Sequence, residues 1–195
     1  MSNSPGDISA QLFTNAHTAY SFTDQPVSDT QMAELYELVK FAPTPMNSQA
    51  LRVLFIRNED AKARLLPHLA EANQPKSASA PVVAVLAYDT EFHEYLPVHA
   101  PSNAGAKESY SDPVKRIAAA KDIATLQAGY FILAVRSLGL DAGPMAGFSR
   151  EGVDAEFLTD TTWKSLYVVN IGHAAPEGIR SRSPRLPAED ALIWR

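Results

Sequence analysis

The chain has 195 residues, 46% hydrophobic and 20% charged, with a formal net charge of -5 at pH 7. This is the balance of an ordinary globular domain long enough to bury a real core, and it lacks the dense basic surface of a sequence-independent nucleic-acid binder. The absence of cysteine excludes a disulfide scaffold, a thiolate nucleophile and a thiolate-bound metal, and no run approaches the roughly 18 apolar residues of a membrane span.

Residues 1–6 are expected to be disordered. The start MSNSPGDISA has no basic stretch followed by an apolar one, so no signal peptide is expected and a cytoplasmic location is. A short helix is predicted over residues 8–15, followed by the irregular HTAYSFTDQP. Ser28 stands three residues before Gln31, the spacing of a capping box. Met32, Leu35, Tyr36 and Val39 then recur at helical spacing, which predicts a helix over 29–41, ended by Pro43 and Pro45.

LRVLFIR, residues 51–57, reads as a strand, and Asn58 can cap a helix running toward Leu66 that Pro67 should kink or end. PVVAVLAYD, residues 81–89, is a continuous apolar run and predicts a central strand buried on both faces. Residues 97–111 hold no periodicity and form a long loop, a candidate lid. Asp112 followed by Pro113 starts a helix that runs to Leu138 and stops at Gly139. WKSLYVVNIG, residues 163–172, gives a third strand, and residues 180–195 form an extended, basic, proline-containing end. Mixed helices and strands without strict βαβ alternation predict an α+β fold in one domain spanning residues 1–195.

Standard catalytic signatures are missing. No dinucleotide glycine pattern occurs, GFSREGVD carries Val153 where a phosphate loop needs lysine, and FHEYLP lacks the second histidine of a zinc protease. No serine-hydrolase elbow is present, and the five histidines are scattered. No catalytic side chain and no metal ligand is therefore assigned. An enzyme of this kind would rely on a bound cofactor for its chemistry.

At APTPMNSQALRVLFI the chain resembles the FMN-dependent nitroreductase family, in which a helix, a pattern like A-P-[ST]-S-x-N-x-Q-P and a strand follow one another. NQPK before a buried strand, the loop GLDAGPMAGF after a long helix, and the basic, proline-containing end follow in family order. PVSD, GLDAGPMAGF and PRL are most similar to the branch containing malonic semialdehyde reductase. The resemblance implies a three-layer α/β/α sandwich with a central, mostly antiparallel sheet, assembled as a homodimer.

It also implies a flavin site. Lys76 and Asn73 match the residues at the pyrimidine edge, where a cation would stabilise the reduced anionic ring. Arg182 and Arg185 match the basic tail at the phosphate, with Arg180 a third candidate; arginine forks suit phosphate oxygens. Pro144, Met145, Ala146 and Gly147 match the segment along the ring, where small residues allow close backbone approach. Thr44 and Asn47 match positions that reach the flavin of the partner subunit.

Three features depart from the family pattern. Its basic R-x-S-x-R-like motif is replaced by HTAYSF, which offers His17, Thr18 and Tyr20. Pro45 stands in place of a serine, and KDIATLQ lacks the polar N-S-S-like run of the nearest branch. The expected function is an FMN-dependent NAD(P)H oxidoreductase using ping-pong hydride transfer through flavin N5. The acceptor would be a semialdehyde such as malonic semialdehyde, a nitroaromatic or a quinone. The alternative is a non-catalytic flavin- or ligand-binding dimer that has lost turnover, which the thinned basic motif at His17 favours. NADH and NADPH are equally admissible donors, and no nucleic-acid or membrane partner is expected.

Overall fold

The computed structural model describes residues 5–195, so most of the tail expected over residues 1–6 lies outside the described residues. Helix α1 (Pro5–Ser9) continues as a π-helical turn over Ala10–Thr14, within the region predicted to be helical. Helix α2 (Asp29–Val39) starts at the capping box: Gln31 N–H donates to Ser28 Oγ at 3.2 Å, and Ser28 N–H donates to Gln31 Oε1 at 2.9 Å. It ends before the predicted Phe41. The amides of Phe41 and Ala42 bond back only three residues, to Leu38 and Val39, so the chain tightens and leaves the helix ahead of Pro43.

Strand β1 (Leu51–Ile56) leads to α3 (Glu59–Leu65), whose first turn is capped by Asn58 Oδ1 accepting from Ala61 N–H at 2.7 Å. Pro67 lies in the 3-10 turn Leu66–His68 that follows. Helix α4 (Gln74–Ser79) precedes β2 (Val82–Asp89), and a short α5 (Leu96–His99) follows. The long helix α6 (Pro113–Ser137) is capped as predicted, with Asp112 Oδ1 accepting from Val114 N–H. Strand β3 (Asp141–Met145), helix α7 (Arg150–Phe157), strand β4 (Trp163–Gly172) and a last turn α8 (Ala188–Ala191) complete the chain.

The four strands form one sheet in the order β1-β2-β4-β3, with every ladder antiparallel. Strand β2 is central and buried on both faces, as its apolar run predicts. Val82, Ala84 and Leu86 join the larger core under α2 and α6, while Val83 and Val85 join the smaller core on the opposite face. That second face is covered by α7, which packs on β4 and against α3. The result is the expected three-layer α/β/α sandwich.

Strand β3 replaces the loop expected at GLDAGPMAGF with an edge strand. Gly143 and Pro144 are poor strand residues, but β3 lies at the sheet edge, where proline's missing N–H costs no ladder bond. The segment 97–111 also differs from a free loop. Ala106 is 1% exposed, Tyr110 packs edge-on against Phe92 at 4.9 Å, and Lys107 Nζ pairs with Glu94 at 2.6 Å.

Gly139 stops α6 with a left-handed φ of +74°. Its N–H donates to Arg136 O at 3.0 Å and Leu140 N–H donates to Val135 O at 3.2 Å, the paired bonds of a Schellman cap. A Cβ here would meet no atom within 4 Å, so a substitution is penalised by backbone conformation alone. Gly139→Ala is expected to destabilise the fold by about 1–2 kcal/mol, measured as a lower urea midpoint with an unchanged m-value.

Candidate functional site

The site is assembled by residues 17–23, which cross the β3–β4 end of the sheet. Thr18 bridges to Ala142 of β3, and Ala19 N–H donates to Ala142 O at 3.2 Å. Tyr20 N–H donates to Gly178 O at 2.9 Å, Ala175 N–H to Ser21 O at 3.1 Å, and Thr23 N–H to His173 O at 2.8 Å. A Cβ on Gly178 would sit 2.6 Å from Ser21 O, so this backbone approach requires glycine. These bonds set HTAYSF beside the basic end of the chain.

Between the two segments opens a cleft of about 810 Å³, a size suited to a mononucleotide. His17, Thr18 and Tyr20 line it from one side and Arg180, Arg182 and Arg185 from the other; Arg136 of α6 contributes a fourth guanidinium. No carboxylate is among its lining residues. Arg182 Nη2 donates to the carbonyls of Thr14 and Ala16 at 2.9 and 2.8 Å, which fixes the chain just before His17. Arg185 is held locally, its Nη1 donating to Ser183 O at 2.7 Å.

Tyr20 connects this cleft to Lys76. Its ring has the Arg180 guanidinium 3.7 Å from the centroid and the Lys76 ammonium 5.2 Å away. Lys76, in α4, is 9% exposed. Burial, and next the charge of Arg180, hold its ammonium below the usual lysine range.

Asn73, one turn away, donates from Nδ2 to Gly147 O at 2.8 Å, and Ala70 N–H donates to the same oxygen at 3.0 Å. The expected flavin amide is thus also a brace for the loop after β3. Met145 is buried, with Ser77 Oγ 3.8 Å from its sulfur, while Ala146 and Gly147 are exposed. Among the described residues no hydrogen bond uses the N–H of Ala146 or Gly147. The structure therefore brings together His17, Thr18, Arg182 and Arg185, and places Asn73, Lys76, Pro144, Met145, Ala146 and Gly147 in the adjoining region.

Thr44 and Asn47 do not line this cleft. They belong to an outward turn in which Met46, Asn47 and Gln49 all take left-handed φ values of 51°, 52° and 49°. Asn47 Nδ2 donates to His99 O at 2.9 Å, and Ser48 Oγ donates to Pro45 O. The turn borders a second cleft of about 480 Å³ lined by Tyr36, Gln49, Arg52, Tyr95, Phe131 and Trp163 among others. That cleft is lined mainly by aromatic and aliphatic side chains, with Lys40 and Arg52 as its lysine and arginine.

Sequence reasoning did not find Arg136, because a lone arginine in the last turn of a helix reads as a partner for the helix carbonyls. Glu91, His93 and Glu94 form a cluster of metal-ligating types, but Arg116 pairs with Glu91 at 2.9 Å and Lys107 with Glu94 at 2.6 Å. Both carboxylates are engaged in ion pairs that tether residues 107–116.

The depressed Lys76 pKa has a definite sign for stability. The folded value lies below the unfolded one, so the charged form is penalised in the fold. That penalty is complete below the folded pKa and is relieved as pH rises from there toward the unfolded value. Arg180→Gln removes one of the two causes and is expected to move the Lys76 pKa upward, as followed by NMR titration of its Cε–Nζ resonances. A downward movement would contradict this placement of the two cations.

With this geometry in view, the sequence matches the model of the Nitroreductase family over residues 14–173. It is similar to a Streptomyces coelicolor protein described as a candidate NADH dehydrogenase/NAD(P)H nitroreductase, 54% identical over 191 residues, covering 97% of this chain and 95% of the relative. Its fold is similar to that of a candidate nitroreductase from Bacillus subtilis, with a TM-score of 0.83 at 21% identity over 95% of this chain and 98% of that one. It is also similar to a candidate nitroreductase from Exiguobacterium sibiricum solved in complex with FMN, with a TM-score of 0.81 at 20% identity over 100% of both chains. Among the described residues no helix is long and apolar enough to cross a membrane. The chain belongs to the nitroreductase family.

Proposed function

We propose that this protein is an FMN-dependent NAD(P)H oxidoreductase that works as a homodimer. The observation that carries the reading is the cleft with four guanidiniums and no carboxylate, joined through Tyr20 to a buried lysine. The donor set fits the cofactor: arginine forks for a phosphate dianion, a cation for the pyrimidine edge, and exposed main-chain N–H groups for the ring. The buried Arg136 Nε has no acceptor in the protein, as expected where an anion completes the site.

Arg180, Arg182 and Arg185, with His17 and Thr18, would hold the phosphate. Lys76 and Asn73 would hold the pyrimidine edge, and a negative charge there would draw the Lys76 pKa back up. Pro144, Met145, Ala146 and Gly147 would line the ring. The chemistry FMN supplies when bound is acceptance of a hydride from NADH or NADPH and its delivery to a small acceptor. The protein's share is placement and electrostatics. The acceptor is a small electrophile: a semialdehyde such as malonic semialdehyde, a nitroaromatic or a quinone.

Thr44 and Asn47 of a second copy complete the site. Left-handed φ values cost about 1–2 kcal/mol each at Met46 and Gln49, and less at Asn47, and such strain is retained where a turn must present particular groups. Exposed apolar side chains on and beside the helices of one face, including Tyr36, Phe41, Val114, Ile117 and Leu126, support burial against that copy.

The purified protein is expected to take up FMN with a visible flavin spectrum, and anaerobic NADH or NADPH should bleach it. A protein that stays colourless with FMN, with no rise in thermal stability, would sink the proposal; bleaching by neither donor would leave only a binding protein. Light scattering should return twice the 21.2 kDa chain mass, and a monomer would remove the roles of Thr44 and Asn47. At Gly147 an added Cβ would sit 3.0 Å from Asn73 Nδ2, displacing the brace on an exposed loop. Gly147→Val is accordingly expected to lower flavin content or hydride transfer with little change in unfolding midpoint. If flavin content and turnover both survive, the loop does not face the ring.

A further inference from the structure

Arg136 sits in the last turn of α6, in neither the N-terminal nor the C-terminal segment from which the family resemblance draws its phosphate cations. Its Nη1 donates to Leu12 O at 2.9 Å, which anchors the guanidinium plane against the π-helical turn. The remaining edge, Nε with Nη2, is the one that can present two parallel N–H groups to one oxyanion. Nε is buried and has no acceptor in the protein, and the residue lines the basic cleft.

A buried guanidinium N–H without a partner is uncommon and calls for an explanation. The charged groups acting on Arg136 are Arg182, which disfavours its charge, and Asp141, which favours it. Burial and then Arg182 leave its guanidinium less readily charged than usual, despite Asp141. Asp141 is itself engaged, its Oδ2 accepting from Ala174 N–H at 2.8 Å. An anion in the cleft would give Nε its acceptor and separate the two like charges.

We propose that Arg136 is a phosphate-binding residue of the cofactor site, supplying from α6 the guanidinium that HTAYSF lacks at His17. The inference rests on the FMN reading. It assigns Arg136 two functions through two edges of one group: Nη1 braces the backbone at Leu12, and the Nε edge takes a phosphate oxygen. It follows that a site with histidine in place of an N-terminal arginine is expected to discriminate a phosphorylated flavin from a neutral one.

The test compares FMN with riboflavin, which carries the same ring and no phosphate, by fluorescence quenching on the full-length protein. For Arg136→Gln the FMN-to-riboflavin affinity ratio is expected to fall roughly tenfold or more, as for loss of a charge-assisted hydrogen bond. Arg136→Lys, which keeps the charge without the fork, should fall less. Equal losses for both ligands would show Arg136 to be only the brace for Leu12, and no loss for either would also overturn the proposal. Should the variants fail to fold, the Nε–H resonance of Arg136 in the unaltered protein decides. It should shift and exchange more slowly with FMN or inorganic phosphate and not with riboflavin, and the reverse pattern refutes the role. An unaltered protein that binds neither flavin defeats the FMN reading itself, whereas one that binds FMN with an unchanged ratio in the variants defeats only this inference.

Discussion

The candidate site depends on the close backbone packing of residues 17–23 against the β3–β4 end of the sheet. Bonds from Ala19, Tyr20 and Thr23 donate outward from this segment, and Ala175 donates back into it. The contact is possible because Gly178 has no side chain where Ser21 lies 2.6 Å from its would-be Cβ. Closing a connection of this sequence separation has an entropic cost that grows only slowly with length. The return is that two segments from opposite ends of the chain face one another across a single cleft. Tyr20 then occupies the centre, with a cation from each neighbouring segment on its ring.

A chain with net charge -5 concentrates four arginines in this one place. Mutual repulsion would spread such a cluster if the side chains were free. Main-chain carbonyls prevent this: Leu12 O holds Arg136, and Thr14 O and Ala16 O hold Arg182. The Tyr20 ring does the same for Arg180, an interaction of about 0.5–2 kcal/mol depending on exposure. The cations are therefore positioned before any anion arrives. Little ordering remains to be done on binding, and the unrelieved repulsion itself favours a dianionic ligand.

The same economy governs the loop after β3. Asn73 and Ala70 both donate to Gly147 O, so the carbonyl is turned into the protein, while Phe148 N–H donates back to Ala146 O at 3.1 Å. The loop after β3 thus carries no acid of its own, and Asp141, at the start of β3, is engaged by Ala174 N–H. Backbone geometry contributes what side chains do not.

Much of the fold was legible in the sequence because helix starts, helix stops and buried strands are local features. Ser28 with Gln31, Asn58, Asp112 with Pro113, and Gly139 each act within a few residues of themselves, and the structure uses each as its chemistry suggests. The apolar run of β2 likewise announced a strand covered on both faces. Strand β3 was hidden, since Gly143 and Pro144 suit a strand only at a sheet edge, and edge position is a property of strand order. The ordered motifs, from APTPMNSQ to GLDAGPMAGF, were sufficient to point to the family.

What the tertiary structure alone decided is which groups converge. Arg136 reads as a helix-end residue until α6 is seen to finish beside Leu12 and the C-terminal arginines. Tyr20 reads as part of an irregular connection until Lys76 and Arg180 are found on its ring. Asn73 reads as a ligand contact until its bond to Gly147 O makes it a brace as well. Sequence by itself determined the elements, their caps and the family, because those depend on periodicity and short-range hydrogen bonding. Convergence depends on pairing between residues more than 100 positions apart, such as Arg136 with Leu12 and Arg182 with Ala16, and no local pattern encodes that.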